Sequence, residues 1–338
     1  MNETKTLFLT ILTFFVLGNL SFAQDLHFTN NIIVPTLFNP AQTGAYVGNI
    51  RAGLIYRDQW RPQISTPYQE AMIFVDSPVM FGFTKQHWVG VGATLFSDKA
   101  GAPGQMWSGF YPGVSYHIGF DKKFRNVFTV GVQYGFAKRD YNYEGWVSED
   151  ETLLSVTSPD RGIIKDLKAS YSDLNVGLLF KSKIDKYSRF EIGASFIHAL
   201  SPSFKFSGTG GKNEIGQRIN FHTLYRRAIS AQMIWEPSLY FSQMPNVSNI
   251  QIQLRNEYLL KKKGDFAIIT GIGYRIGDAL QLLTGARYKD WLFSLSYDQG
   301  VSGLGGELVG SAFELGAQKR FIINKKPKVK PIIYCPRL

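Results

Sequence analysis

Between Arg51 and Phe321 the chain repeats one pattern about fourteen times: a segment of roughly 8–12 residues with alternating side-chain character, closed by turn residues. Ile250, Ile252, Leu254 and Tyr258 alternate with Gln251, Gln253, Arg255 and Glu257. Phe128, Val130, Val132, Tyr134 and Phe136 alternate with Thr129, Gly131, Gln133 and Gly135. The first repeat sets Ile50, Ala52, Leu54 and Tyr56 against Arg51, Gly53, Ile55 and Arg57, after turn residues Asn39-Pro40, Gly44 and Gly48. A period of two puts successive side chains on opposite faces of a strand. One face is therefore apolar and aromatic, the other small, polar or charged, and no helical segment interrupts the series.

Two architectures produce such a series: an antiparallel β protein with one wet face, and a transmembrane barrel with lipid outside and polar side chains within. The segment lengths match the roughly 9–11 residues of a tilted membrane-crossing strand. Aromatics near the segment ends, Trp88, Trp107, Tyr258, Tyr288 and Trp291, resemble an interfacial girdle. The connections also alternate in length. Those after odd strands are long (Asp58–Pro67, Ser97–Gln105, Arg139–Tyr171, Ala199–His222, Gln299–Gly310), and those after even strands are mostly short (Asp121–Phe124, Ser182–Tyr187, the region around Glu236, Lys261–Gly264, Lys289–Asp290). Asp76–Gln86 and Arg275–Asp278 break the rule. Outer-membrane barrels pair long outer loops with short periplasmic turns, so the expected fold is all-β, a transmembrane antiparallel β-barrel of about 14 strands with both termini periplasmic.

The N-terminus carries an export address. Residues 7–17 are apolar after Lys5, and Ser21-Phe22-Ala23 supplies the small residues a signal peptidase reads, which predicts cleavage after Ala23. The expected domains are 1–23 signal peptide, 24–50 periplasmic lead-in, 51–321 outer-membrane barrel and 322–338 basic periplasmic tail. Cys335 is the only cysteine, so no internal disulfide forms. Of the formal net charge of +11, the tail contributes five cations, Lys325, Lys326, Lys328, Lys330 and Arg337, and no acid. On an exported protein that points to acidic protein or lipid headgroups rather than nucleic acid.

Catalytic candidates are sparse. Ser115 and His117 share a strand face, but a nucleophile and base need a third group to orient the base. His27, His87, His117, His198 and His222 have no metal-ligand spacing, and Gly90-Val91-Gly92 and Gly208-Thr209-Gly210-Gly211 lack the context of a phosphate cradle. No catalytic, cofactor or metal site is expected. Glu191, Arg255, Glu257, Arg275, Arg287, Asp298, Glu314 and Arg320 fall on the inner face, where they line a water-filled pore or pair within a filled one. Fourteen strands leave a lumen wide enough for water unless the lead-in or a long loop folds inward.

Several spaced motifs occur in an order that resembles the PorP/SprF family: Gln24-Asp25-Leu26-His27-Phe28, Asn39-Pro40-Ala41, Tyr56-Arg57-Asp58-Gln59-Trp60, Pro67-Tyr68-Gln69, Gly273–Ala279, Ser296-Tyr297-Asp298, Gly310–Glu314 and Cys335-Pro336-Arg337-Leu338. Ala312-Phe313 and Tyr225–Ala228 depart from its pattern. The resemblance implies an outer-membrane component of the type IX secretion and gliding machinery of Bacteroidetes. Its implied role is non-enzymatic: helping export or anchor surface proteins such as adhesins, by contact with a secreted C-terminal domain and with periplasmic partners. Candidate partner contacts are Arg57, Asp58 and Trp60 with the odd loops, where the alternative and favoured role of these three is to fix the loop after the first strand, and Lys325, Lys326, Lys328, Lys330 and Arg337 in the tail. The alternative drawn from the inner polar set is a porin or hydrophobic-solute channel.

Overall fold

The computed structural model describes residues 25–62, 64, 66–79, 86–100, 104–141, 167–206, 211–245, 247–261, 265–301 and 310–323. The signal peptide, most of the Arg139–Tyr171 loop and the basic tail lie outside the described residues. The strands are β1 (Ile50–Gln59), β2 (Tyr68–Val79), β3 (His87–Ala100), β4 (Gln105–Gly119), β5 (Asn126–Tyr141), β6 (Lys168–Lys183), β7 (Ser188–Ile197), β8 (Ser203–Phe204), β9 (Asn213–Glu214), β10 (Arg218–Ala228), β11 (Met233–Met244), β12 (Val247–Leu259), β13 (Phe266–Arg275), β14 (Ala279–Tyr288), β15 (Trp291–Gly300) and β16 (Ser311–Phe321). Strands β8 and β9 form a small separate ribbon, and the other fourteen pair antiparallel with their neighbours until β16 closes on β1. Closure removes the unpaired edges that an open sheet presents. No helix among the described residues is long and apolar enough to cross a membrane; the strands cross it.

Alternation decides the two faces. Ile252 is 52% exposed and its neighbour Gln253 2%; Leu254 and Tyr258 are exposed, Arg255 and Glu257 buried. Apolar groups face outward because lipid is their solvent, and polar groups face inward where they find partners. The same parity corrects the girdle. Tyr258, Tyr288 and Trp291 face outward, but Trp88 and Trp107 sit on inward positions. Trp88 stacks on His117 at 4.5 Å, and Trp107 packs edge-on against Phe96 at 4.7 Å.

Strands run further than the turn residues suggest. Asp58 and Gln59 belong to β1, and β10 begins at Arg218 rather than after His222. Glu236 lies within β11, where its inward carboxylate meets Arg226 and Arg255; the chain reverses at Ile229–Gln232 instead. Pro237 interrupts the β10–β11 ladder without shifting its register, because Leu224↔Ser238 and Arg227↔Trp235 keep the same offset.

The lead-in is the second structural element. From Asp25 to Tyr46 it runs inside the barrel, with a four-residue helix α1 (Pro35–Phe38) and a 3₁₀ turn (Pro40–Gln42). The Asn39 side chain caps the 3₁₀ turn by accepting from the Ala41 N–H. Leu26, Phe28, Ile33, Val34 and Phe38 form a core with inward residues of the wall, including Ile55, Met72, Phe74 and Tyr240. The barrel has two rims: the loop rim, where β1 ends, and the turn rim, where β1 starts and β16 ends. Asp25 meets His198 and Arg218, which follow β7 and open β10 at the loop rim. Asn49 donates to the Phe321 carbonyl at the turn rim. The described chain ends therefore lie at opposite rims, not on the shared periplasmic side expected, because the lead-in crosses the lumen before β1 begins.

A plugged lumen as the candidate functional site

Most of the lead-in's polar backbone has no helical or strand partner, so wall side chains must satisfy it. At Thr29 and Asn30 they do so densely. The Glu314 carboxylate accepts from both backbone N–H groups, at 2.7 and 2.9 Å. Gln251 and Gln253 donate to the Thr29 carbonyl at 3.1 and 3.0 Å. The Thr29 hydroxyl donates to Asp298 and receives Arg275 and Gln281. Arg57 ties the acids together, at 2.6 Å from Glu314 and 3.2 Å from Asp298, and Arg275 pairs with Asp298 at 3.1 Å. Two cations face two carboxylates around one threonine, which neutralises charges held away from water. This is the latch of the plug.

Further in, the backbone passes so close to the wall that only glycine fits. A Cβ on Gly177 would sit 2.0 Å from Asn39 Oδ1, and one on Gly131 would sit 2.4 Å from the Ala41 nitrogen. The Asn39 side-chain amide donates to the carbonyls of Leu178 and Ala194, bridging two strands. Toward the turn rim Gln42 meets Glu191, Lys181 donates to Gln42 Oε1 and the Ala45 carbonyl, and Asp76 accepts from the Gly44 N–H while paired with Arg51 at 2.7 Å. A cavity of about 170 Å³ remains beside the plug, lined by Phe38, Gln42, Lys181, Glu191, His222 and Tyr240 among others.

At the loop rim a second cluster, the clasp, holds the start of the plug. Asp25 accepts from Arg218 at 2.8 Å and lies 3.3 Å from His198, whose other ring nitrogen is 2.6 Å from Asp173. Tyr111 also donates to Asp173. Burial pushes the Asp25 pKa up, but Arg218 and the His198 hydrogen bond outweigh it and hold the carboxyl below its usual range. Burial likewise pushes His198 down, and the hydrogen bonds to Asp173 and Asp25 reverse this, raising it to about 9. His198 is thus a cation at neutral pH.

The sequence candidates fall as follows. Arg57 is 1% exposed, inside the latch. Asp58 points to the rim, accepting from Tyr56 and Arg61. Trp60 adopts φ +65°, packs edge-on against Tyr68 at 5.0 Å and lies against Gly310, so it shapes the loop after β1. Lys325, Lys326, Lys328, Lys330 and Arg337 lie outside the described residues. Ser115 Oγ and His117 Nε2 are 2.8 Å apart, but both point at the Thr43 carbonyl of the plug. A carbonyl only accepts, so the imidazole presents Nε2–H there, the tautomer that cannot take the serine proton. The third group is the Thr129 hydroxyl rather than a carboxylate, and the pair is sealed from substrate. Among the described residues no group of three or more His, Cys, Asp and Glu side chains is placed to hold a metal ion.

Thr29, Asn30, Asp173 and Arg218 were not singled out from the sequence; Asp25 stood only within a family motif, and His198 only as a histidine without metal-ligand spacing. Gln251, Gln253 and Gln281 carried a signal, since three amides on inward strand positions need acceptors; nothing indicated that a lead-in carbonyl and hydroxyl would supply them.

Comparison with known proteins gives two findings. A family model described as type IX secretion system membrane protein PorP/SprF matches residues 20–317. No curated protein matches. Among solved structures, the toluene transporter TbuX of Ralstonia pickettii aligns with TM-score 0.51 and 11% identity, covering 86% of this chain and 94% of its own. A TodX monoaromatic hydrocarbon channel mutant aligns with TM-score 0.53 and 10% identity, covering 87% and 95%. The Pseudomonas putida toluene transporter TodX aligns with TM-score 0.51 and 10% identity, covering 88% and 95%. At such identities the likeness is one of fold alone: an outer-membrane barrel.

Proposed function

Because the chain belongs to the PorP/SprF family of type IX secretion system membrane proteins, we propose that this outer-membrane barrel works by binding: it helps export or anchor cell-surface proteins such as adhesins and conducts nothing itself. The observation that carries this reading is the latched plug. A general porin needs a continuous wet path, and here the lumen is crossed by the chain's own lead-in, fixed by Arg57, Arg275, Asp298 and Glu314 around Thr29. No catalytic role is assigned, since Ser115 and His117 are spent on the Thr43 carbonyl.

In this reading the loop rim faces the cell surface, where the connections after β1, β5 and β7 meet a secreted C-terminal domain. The turn rim and the basic tail Lys325–Arg337 face the periplasm and its acidic partners. The loop-length parity supports that orientation. Deleting the gene is expected to leave adhesins unsecreted or shed from the surface, and normal secretion and attachment in the deletion strain would refute the proposal.

The alternative, a porin or hydrophobic-solute channel, has the fold likeness and the cavity of about 170 Å³ behind it. Planar-bilayer recordings of the intact protein separate the two readings. Binding predicts no open-pore conductance, and steady ionic current would favour the channel.

A further inference from the structure

We infer that the turn-rim mouth of the lumen is a binding site for an acidic, extended protein segment, held by inward cations that the plug leaves uncovered. That the segment belongs to a periplasmic partner rests on the orientation proposed above; the site itself does not.

The diagonal course of the plug exposes these cations. In the turn-rim half the lead-in lies against one side of the wall: Asp76 on β2 accepts from Gly44, Ser115 and His117 on β4 meet Thr43, and Lys181 on β6 donates to Gln42 and the Ala45 carbonyl. The latch at Thr29 and Asn30 reaches β13, β15 and β16, but near their loop-rim ends. Arg226, Glu236, Glu257 and Arg287 bond only to wall residues. The cavity of about 170 Å³ adjoins this uncovered wall, because Leu224 and Ser238 line it and Arg226 and Glu236 are the next inward residues toward the turn rim.

Cations at this mouth face one another. Lys183 and Arg189 continue the inward positions of Lys181 and Glu191 and are exposed. Arg189 on β7 is the direct cross-strand partner of both Lys183 on β6 and Arg226 on β10, and Arg320 on β16 is that of Arg51 on β1. Like charges directly opposite on neighbouring strands destabilise a sheet, so each juxtaposition costs the empty barrel stability. Only part of that cost is offset. Arg226, Arg255 and Arg287 share the two carboxylates Glu236 and Glu257, and Arg51 takes Asp76. Arg255 Nη2 is buried without an acceptor. Lys183, Arg189 and Arg320 have no ion pair among the described residues. Arg320 feels three cations, Arg287, Arg51 and Arg226, against the single acid Asp290.

The chemistry of these groups selects the ligand. Guanidinium forks match carboxylates. Lys183, Arg189 and Arg226 stand on three neighbouring strands, each about 5 Å from the next. One carboxylate cannot span that row, whereas acids at alternate positions of an extended chain, about 7 Å apart, can. Lipid headgroups pack against the outer side of the wall, and these residues line its inner side.

The test uses the purified full-length protein in nanodiscs of zwitterionic lipid, with an oligoglutamate peptide as probe and an arginine-specific dicarbonyl reagent as footprint. The peptide is expected to protect Arg189 and Arg320 from modification and to leave Arg125, on the β4–β5 turn, as reactive as before. Equal modification of Arg189 and Arg320 with and without peptide overturns the site, and protection confined to Arg337 places the peptide on the tail instead. Inorganic phosphate protecting as well as the peptide at equal concentration makes this a free-anion site, and protection by phosphatidylglycerol in the nanodisc without peptide makes it a lipid site; either overturns the assignment to a protein segment. In a Lys183→Glu, Arg189→Glu variant, the peptide concentration that half-protects Arg320 is expected to rise about tenfold, and in Lys123→Glu to stay unchanged. An unchanged concentration in the double variant, with its heat-modifiable barrel intact, overturns the site. Secretion in the deletion strain tests the proposed function separately, so the two can fail independently.

Discussion

Arg57 shows how much one side chain decides. Its guanidinium is the common partner of Glu314 and Asp298, and its Nε finds no acceptor. Removing one member of a buried ion network costs about 3–5 kcal/mol, because the partner charges stay buried without compensation. Arg57→Ala is expected to leave the barrel folded and to loosen the lead-in, seen as new protease cleavage between Asp25 and Tyr46 in detergent; an equally protected lead-in would refute the latch. His198 gives a pH dependence. Its folded pKa of about 9 exceeds the ordinary 6.5, so its contribution to the clasp is fully present below about pH 6.5 and is lost as pH rises through 9. Protease protection near Asp25 should therefore fall as pH rises from about 6.5 to 9, and His198→Ala should be unprotected at neutral pH with that dependence gone. A flat profile in the parent protein would contradict the clasp.

At the scale of elements, the plug and the wall fit backbone to backbone. Gly177 and Gly131 sit on inward strand positions where the sequence reads only as small residues, and the lead-in occupies the space their missing side chains leave. Overpacking such a site costs about 1–3 kcal/mol. Gly177→Ala is expected to shift or release the 3₁₀ turn while the strands stay paired, whereas Gly211→Ala, with no atom within 4 Å of the new Cβ, should change nothing. Equal effects from both would mean that the close approach does not matter. The strands themselves were largely legible, since alternation along β5, β12 and β15 gave the correct face for Gln133, Gln253 and Asp298. Their ends were less so, because Asp58 and Arg218 look like loop residues until a neighbouring strand is there to pair with them. The clasp and latch were not legible at all. Thr29 and Asp298 are 269 positions apart, and no local periodicity links them.

For the whole molecule, the plug separates a binding barrel from a pore. Fourteen strands enclose a lumen that conducts unless filled, so deleting residues 25–46 is expected to produce steady single-channel current where the intact protein passes none. Silence in the deletion variant, with the barrel intact by its heat-modifiable mobility, would show that something other than the lead-in closes the lumen. Truncating Lys325–Leu338 is expected to leave the barrel folded and to weaken co-purification with periplasmic partners; full retention of partners would remove the tail from the proposed contact.

The alternation of side chains by itself determined that this chain forms membrane-crossing strands, about how many, and which residues point inward, because a period of two is a property of the local backbone and the solvent on each side. It also placed Arg275, Asp298 and Glu314 on the inner face. Only the tertiary structure decided what those residues do there. Whether an inward charge meets water, another wall residue or the lead-in depends on which segment occupies the lumen, and the lead-in's fit there rests on contacts between residues hundreds of positions apart. The same contacts carried Asp25 to the loop rim, a result that no reading of strand order contains.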